Sequence, residues 1–204
     1  MAHTYSTDSP ERKYIPLFLA AAAIGAAFLT FHLLKKSNIE GPWWIGPPDT
    51  MVFYGLFYLA LDRLLWKFPP LRWARITRVP HLSGTWHGKV EPAPTPGVST
   101  GLTTAKDITM TIRQTWSELL VRARTEQSTS QSLSGAIVVA DEVSVGYEYR
   151  NEPSAPAPGT MQTHRGFARL TLNDAETVLE GEYYSGRGRQ NIGSIRVNRT
   201  QPTP

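Results

Sequence analysis

Two arginines separated by glycine, Arg187 and Arg189, stand in the stretch SGRGRQ near the C-terminus. A guanidinium is a planar fork of N–H donors that fits phosphate oxygens, and flanking glycines let backbone N–H groups approach the same anion. This spacing predicts an anion-binding loop. The same letters are also typical of a solvated hairpin loop, so the arginines alone leave both interpretations open.

Further polar and aromatic side chains gather near the ends of the neighbouring predicted strands. Aromatic rings stack on nucleobases, and polar side chains bond to base edges and phosphates. A tyrosine pair also packs in cores, and a rim histidine is often satisfied by its neighbours. The remaining candidate ligand-binding residues are Thr125, Ser128, Tyr149, Asn151, His164, Arg165, Tyr183 and Tyr184.

The sequence shows no catalytic constellation. Its acidic residues are scattered singly, and His81 and His87 have no carboxylate partner at metal-ligand spacing. No glycine-rich strand–helix turn that would cradle a phosphate is present. The absence of cysteine excludes disulfides, thiol catalysis and thiolate metal sites. We therefore expect a binding protein without catalytic residues, metal or cofactor.

The net charge of +4 belongs to the N-terminal part of the chain. Residues 1–80 hold nine Lys and Arg against five acids, whereas residues 81–204 hold twelve of each. A neutral C-terminal domain argues against a general nucleic-acid surface. Ten of its twelve basic residues are Arg, which favours specific recognition of phosphate.

Two apolar segments precede the C-terminal domain. Residues 14–34 contain no Lys, Arg or acid and would span roughly 31 Å as a helix, close to the thickness of a bilayer core. This apolar core is too long for a signal peptide. Residues 51–66 form a shorter second span, bracketed by Trp43, Trp44 and Trp66 as expected at headgroup level. The pair Asp62-Arg63 in its last turn either snorkels to the headgroups or makes a polar contact between protomers.

The basic residues flanking the two spans predict their orientation. Six flank the outer ends of the pair: Arg12, Lys13, Lys67, Arg72, Arg75 and Arg78. The loop between the spans has Lys35 and Lys36. The positive-inside rule therefore places both termini in the cytoplasm and makes the chain a two-pass membrane protein.

After Pro80 the pattern changes to alternating apolar and polar residues broken by turn signals. It predicts eight strands, which suit a closed up-and-down antiparallel barrel, with a sandwich as the alternative. The predicted strands are about 84–91, 105–115, 118–126, 133–140, 142–150, 161–172, 177–185 and 191–199. The domains are accordingly residues 1–79, a transmembrane hairpin with cytoplasmic flanks, and 80–204, a cytoplasmic ligand-sensing barrel.

Connection lengths predict which end of the barrel binds a ligand. The long loops PAPTPGVSTGLTT, QSTSQS, NEPSAPAPGT and SGRGRQ follow strands 1, 3, 5 and 7, so they meet at one end. Long loops on a rigid scaffold commonly carry binding sites. The first strand starts at the other end, which we expect to face the bilayer, and Trp86 and Trp116 plug the barrel there.

In this order and spacing, the motifs resemble a known family. LSGTWHGKV, ITMTIRQTW, TEQSTSQS, YEYRNEP, THRGFARL and LEGEYYSGRGRQNIGSI, behind two apolar spans, are similar to the transmembrane β-barrel effectors of bacterial cyclic-oligonucleotide antiphage signalling (CBASS). The resemblance implies a receptor for a cyclic di- or trinucleotide that a linked CD-NTase enzyme makes. It further implies that binding drives homo-oligomerisation in the lipid bilayer, membrane disruption and death of the infected cell.

Two other interpretations come from the barrel itself. The Gly84-x-Trp86 pattern at its start also resembles lipocalin-like carriers, which would hold or sense a small apolar ligand deep inside. A membrane-anchored structural module with a filled core is the third. The arginines near the predicted mouth favour an anionic ligand over both.

The topology is directly testable. We expect a reporter that is active only in the cytoplasm to be active when it is fused after Pro204 or before Met1, because basic flanks are retained on that side. A periplasm-dependent reporter at the same positions serves as the control. Activity of the periplasmic reporter alone would contradict the two-pass arrangement.

Overall fold

A computed structural model of the chain describes residues 2–37, 47–93, 105–140, 142–155, 162–186 and 191–200. The helical elements are α1 (Glu11–Lys36), α2 (Pro47–Arg63), a 3-10 turn (Leu65–Lys67) and α3 (Pro69–Trp73). The strands are β1 (His3–Thr4), β2 (Ser6–Thr7), β3 (Gly84–Pro92), β4 (Lys106–Gln114), β5 (Glu118–Arg124), β6 (Ser128–Val138), β7 (Ser144–Pro153), β8 (His164–Leu172), β9 (Val178–Ser185) and β10 (Ile192–Arg199).

The chain forms two compact units. Residues 9–78 form a helical unit, and residues 1–8 join residues 79–204 in a β unit. The sequence pattern did not predict that the first eight residues associate with the barrel.

In the helical unit, α1 is long and apolar enough to cross a membrane. Ala23 and Ala27 are buried, whereas large residues such as Leu17 and Phe18 are exposed. Small buried residues four positions apart allow close packing of α1 and α2. At 17 residues, or about 25 Å, α2 is slightly shorter than a bilayer core.

The end predicted for the second helix was wrong. The helix ends at Arg63, and Leu65–Lys67 form a separate 3-10 turn. The break lies at Leu64, whose φ of −124° and ψ of −57° depart from helical values, and Pro69 then prevents the residue before it from resuming a helix. Phe68 is extended, with φ −67° and ψ 123°.

The β unit confirms the predicted eight-stranded up-and-down antiparallel barrel. Its strands follow in the order β5-β4-β3-β10-β9-β8-β7-β6, and β5 pairs with β6 to close the ring. We call the end that carries connections 93–105, 125–127, 154–163 and 186–191 the mouth end. The opposite end, the base end, carries connections 115–117, 139–143 and 173–177 and receives the linker from the helical unit.

The predicted start of the fourth barrel strand was wrong. The run STSQS, taken as part of a long loop, belongs to β6, which begins at Ser128 instead of residue 133. A three-residue turn, 125–127, replaces the long loop. No apolar residue occurs between Ser128 and Ser132, so hydrophobic alternation could not reveal this part of the strand.

The base half of the barrel is a packed apolar core. The fully buried side chains of this half and of the middle of the barrel include Trp86, Met110, Ile137, Leu170 and Leu179. The predicted tryptophan plug is confirmed in that Trp86 and Trp116 are 0% and 2% exposed. The indole N–H of Trp86 donates to Leu82 O at 3.1 Å.

Two polar side chains fix the linker at the base end. The side-chain amide of Gln114 accepts from Leu82 N at 2.8 Å and donates to Pro80 O at 3.1 Å. The guanidinium of Arg199 lies 5.0 Å from the Trp86 ring centroid and donates to His81 O and Ser83 O. The barrel thus starts from a rigidly held segment.

Glycines at inward positions let neighbouring strands come close enough for the sheet to curve around the core of the barrel. A Cβ on Gly181 would lie 2.0 Å from Arg169 O on the neighbouring strand. Glycine at a close backbone approach marks a bend at a barrel corner.

We therefore expect Gly181→Ala to destabilise the protein by about 1–3 kcal/mol through forced backbone shifts. Thermal unfolding of the purified full chain measures this effect. Ser194→Ala, at an exposed position on the adjacent strand, is the matched control and should change little. Equal melting temperatures for the two variants would show that the barrel does not need the close approach.

Candidate functional site

Strand alternation gathers polar side chains on the inner face of the mouth end. Ser130 on β6 lies opposite Asn151 on β7, which lies opposite His164 on β8. Tyr149, two positions from Asn151, has the same inward parity as the buried residue Tyr147. Residues far apart in sequence therefore form one row across three strands.

Two tyrosines line the inner wall against glycines. A Cβ on Gly166 would lie 2.4 Å from Cζ of Tyr149, and one on Gly193 would lie 2.6 Å from Cε1 of Tyr183. Each glycine thus leaves the space that a ring from the adjacent strand occupies. The Tyr149 hydroxyl donates to Tyr184 O at 3.5 Å. Both rings are held at the wall at the level where the polar row begins.

Asn151 gives the strongest sign of a ligand. It is 8% exposed, yet its side-chain amide makes no hydrogen bond to the part of the chain that the structure describes. The amide atoms are not among the fully enclosed side-chain atoms that lack a partner, so the amide keeps some contact with solvent and is accessible to a ligand. An amide carries both donors and an acceptor, which suits the edge of a nucleobase.

Tyr147 lies one row deeper and shows the same feature. Its hydroxyl makes no hydrogen bond to the described residues, although the side chain is buried. Burial, with a smaller contribution from the charge of Tyr149, raises the pKa of Tyr147. Its hydroxyl therefore stays protonated at physiological pH and is available as a donor.

Thr125 and Ser128 form the mouth-end turn between β5 and β6. Thr125 N donates to Ser128 O at 2.9 Å, and Ser128 N donates to Thr125 Oγ1 at 3.2 Å. Both residues are half-buried. Their hydroxyls already form hydrogen bonds within the turn, and this structural role is enough to explain why Thr and Ser occur here.

Arg165 and Tyr184 lie on the outer face, since each is adjacent to an inward residue on its strand. The Arg165 side chain is 72% exposed, and its guanidinium is 3.6 Å from Glu148. The Tyr184 ring stacks on Phe167 with centroids 5.7 Å apart and is 53% exposed. Alternation thus separates them from the inward row.

At the rim, residues with inward and outward side chains line one cleft of about 440 Å³. The cleft is lined by Arg150, Thr163, His164, Arg165 and Gly186. Arg187 and Arg189 lie outside the described residues. Their flanks lie at this rim, because Gly186 N donates to Arg165 O at 2.7 Å and Ser185 N donates to Asn191 O at 2.8 Å. The imidazole Nδ1 of His164 is 3.0 Å from Gln162 O.

Sequence reasoning missed Lys106 and Tyr147. Lys106 shares the inward parity of Ile108 at the mouth end, and its Nζ donates to Gln127 Oε1 at 2.7 Å. Its alternation with Ile108 and Met110 could have identified it. Tyr147 was grouped with the apolar side chains of its strand. Ser130 was noted near the predicted mouth but was placed in a loop instead of on β6.

The charge of this surface suits an anion. Among the described residues, the inward positions at the mouth end of β3–β10 include no carboxylate. Glu148 and Glu152 on β7 are partly or fully exposed and pair with Arg165 and Arg150. The lining therefore combines an ammonium, an imidazole, hydroxyls, an amide and aromatic rings, a set that fits phosphates and bases.

Such a barrel behind an apolar helix defines a class of protein: a receptor barrel linked to a helix that could anchor it to a membrane. Residues 77–199 match the family described as Cap15, cyclic dinucleotide receptor domain, and the chain belongs to that family. Among similar proteins is CD-NTase-associated protein 15 of Yersinia aleksiciae, which is 27% identical over 193 residues, covering 93% of this chain and 86% of that protein. Family membership confirms the resemblance to CBASS effectors that sense cyclic nucleotides.

If the role of Asn151 is to bind a ligand, its side chain should not raise the stability of the ligand-free protein. We expect Asn151→Leu to leave the melting temperature of the ligand-free chain unchanged or higher, because it replaces an amide that makes no hydrogen bond within the described chain by an apolar side chain at a largely buried position. Ser132→Ala is the contrasting variant. Its Oγ accepts from Val121 N at 2.9 Å, so its loss should lower stability by about 1–3 kcal/mol. A large destabilisation by Asn151→Leu would mean that the amide serves folding.

Proposed function

We propose that the inner face of the mouth end binds a cyclic di- or trinucleotide made by a functionally linked CD-NTase. The observation that carries this proposal is Asn151, whose side-chain amide makes no hydrogen bond within the described chain and stays accessible although the residue is only 8% exposed. It lies between Ser130 and His164, on a face whose described residues include no carboxylate. Family membership identifies the ligand class.

The lining residues divide by chemistry. Tyr149 and Tyr183 offer ring faces to the bases, and Asn151 offers donors and an acceptor to a base edge. Lys106 and His164 lie at inward or rim positions where phosphates would approach. Arg187 and Arg189 add guanidinium forks from the rim loop, and Arg165 contributes through the rim cleft.

The packed base half favours a nucleotide over an apolar ligand. A carrier needs an empty apolar lumen, but Met110, Ile137, Leu170 and Leu179 fill the interior below the polar rows. The polar mouth end is where a charged ligand could be solvated and paired. We accordingly propose a receptor whose output is a change of assembly, with no chemical reaction.

For the output, we propose that nucleotide binding to the domain 80–204 drives homo-oligomerisation through the hairpin of residues 1–79. Two spans, of which α1 is the longer, would hold the chain in the bacterial inner membrane with both termini cytoplasmic. Assembly of the hairpins would disrupt the bilayer and kill the infected cell. The neutral barrel leaves electrostatic attraction to anionic lipids to the basic flanks.

Isothermal titration of the purified full chain with c-di-AMP, c-di-GMP and cyclic GMP–AMP tests the site. We expect Arg187→Ala and Arg189→Ala each to weaken binding about ten- to a hundredfold, the loss expected for one charge-assisted hydrogen bond. Asn151→Leu and Tyr149→Ala should weaken binding as well, the latter with a lower melting temperature.

Trp116→Ala is the control, because it lies at the base end and should reduce stability without changing the affinity of the folded protein. An apolar-ligand carrier predicts the reverse pattern, with silent arginine variants and binding controlled by Met110 and Val121. Parent-like affinity in both arginine variants would reject the phosphate clamp at SGRGRQ.

A further inference from the structure

The first eight residues complete the wall of the barrel. We call residues His3–Asp8 the strap. β1 pairs antiparallel with β5 at Leu119 and Glu118, and β2 pairs parallel with β6 at Ala136 and Ile137. Directly paired β5–β6 residues are Arg122–Gln131, Ala123–Ser130 and Arg124–Thr129, all toward the mouth end. The strap therefore fills the seam where β5 and β6 diverge.

Side chains hold the strap along its length. Tyr5 is buried in the hydrophobic core, and its hydroxyl donates to Trp116 O at 2.8 Å. The Asp8 carboxylate accepts from Val139 N at 2.8 Å and from Ala140 N at 3.1 Å, just beyond the end of β6. The strap is thus a defined part of the barrel, although each of its ladders is two residues long.

The other end of the strap contacts the level of the candidate site. His3 Nε2 is 2.8 Å from Ser132 Oγ, and His3 Nδ1 is 3.1 Å from Thr4 O. Because a carbonyl can only accept, Nδ1 is the donor to Thr4 O, and Nε2 and the Ser132 hydroxyl share the second hydrogen bond. Ser132 lies opposite Tyr149, at the register shift of β6. A ligand at Tyr149 and Asn151 is one strand away from this bond.

The strap also leads directly into the membrane helix. Ser9 and Pro10 are the two residues between Asp8 and α1, which begins at Glu11. Whatever holds or releases the strap therefore changes the freedom of the start of α1. Short ladders on a seam with few direct strand pairs are expected to open at lower free energy than the full-length strands.

Building on the proposed function, we propose that the strap is an autoinhibitory latch: nucleotide binding beside Ser132 releases it from the β5–β6 seam and frees α1 for assembly. Release would also leave strand edges unpaired at Glu118–Leu119 and Ala136–Ile137. Unpaired edges favour association with another chain, which agrees with an oligomeric output.

The absence of cysteine in the chain allows a clean covalent test. Thr4 and Glu118 are exposed cross-strand partners, so Thr4→Cys combined with Glu118→Cys can be oxidised to lock the strap. Glu180→Cys combined with Arg196→Cys, exposed partners on β9 and β10, gives a matched disulfide across a pairing that the latch does not use.

Full-length protein in dye-loaded phosphatidylethanolamine–phosphatidylglycerol vesicles provides the readout. After addition of whichever of c-di-AMP, c-di-GMP and cyclic GMP–AMP binds, at a saturating concentration, the oxidised strap variant should release dye at least about tenfold more slowly than the reduced variant. Its affinity for the nucleotide should also be lower, because a ligand that releases the strap must bind the released state more tightly. Reductant should restore release, and the β9–β10 disulfide should have no effect. Equal release by the oxidised and reduced strap variants would overturn the latch.

A second arm needs no nucleotide and so separates the latch from the proposed ligand. Asp8→Ala removes the acceptor for two backbone N–H groups and should raise nucleotide-free dye release about tenfold, as expected from one lost charged hydrogen bond. Asp174→Ala, an exposed acid in the turn between β8 and β9, is the control. If titration shows no nucleotide binding but Asp8→Ala still leaks, the latch stands and the ligand proposal fails. Parent-like release by a folded Asp8→Ala variant overturns the latch.

Discussion

Closure of the seam between β5 and β6 is the constraint on which the rest of the structure depends. A barrel removes exposed strand edges only if the two strands at the ends of the sheet pair with each other. Here β5 and β6 meet directly at three residue pairs near the mouth, and the N-terminal strap fills the remaining gap. Tyr5 places its side chain in the core at this gap. The wall is therefore continuous, but one part of it is supplied by a segment far away in sequence.

This arrangement explains which parts of the fold the sequence could predict. Alternation of inward and outward residues predicts strands such as β8. There Gly166, Ala168 and Leu170 alternate with Arg165 and Arg169. The polar half of β6 does not, since its inward side chains are hydroxyls satisfied by specific partners. Two-residue strands in the strap carry no periodic signal at all, and their pairing depends entirely on tertiary context.

The candidate site was predictable in composition and less so in orientation. Position at the strand ends placed Tyr149, Asn151 and His164 near one end of the barrel, whereas parity on a strand decides whether a side chain faces the lumen. Arg165 and Tyr184 are their immediate neighbours in sequence or on the adjacent strand, and they consequently face outward. Lys106 went unnoticed because a single lysine at a strand start looks like a solvated end.

The base half of the barrel interior is packed for stability, whereas the mouth half carries polar side chains that can contact a ligand. Base-end residues such as Trp86 and Met110 are packed without exposure, which stabilises the barrel whether or not a ligand is present. Mouth-end groups such as Asn151 remain unpaired in the described chain and can be satisfied by a bound partner. The strap contacts Ser132 at the border between these halves. The least extensively paired part of the wall begins at this border, and it continues through Ser9 and Pro10 into α1, the helix that is long and apolar enough to cross a membrane.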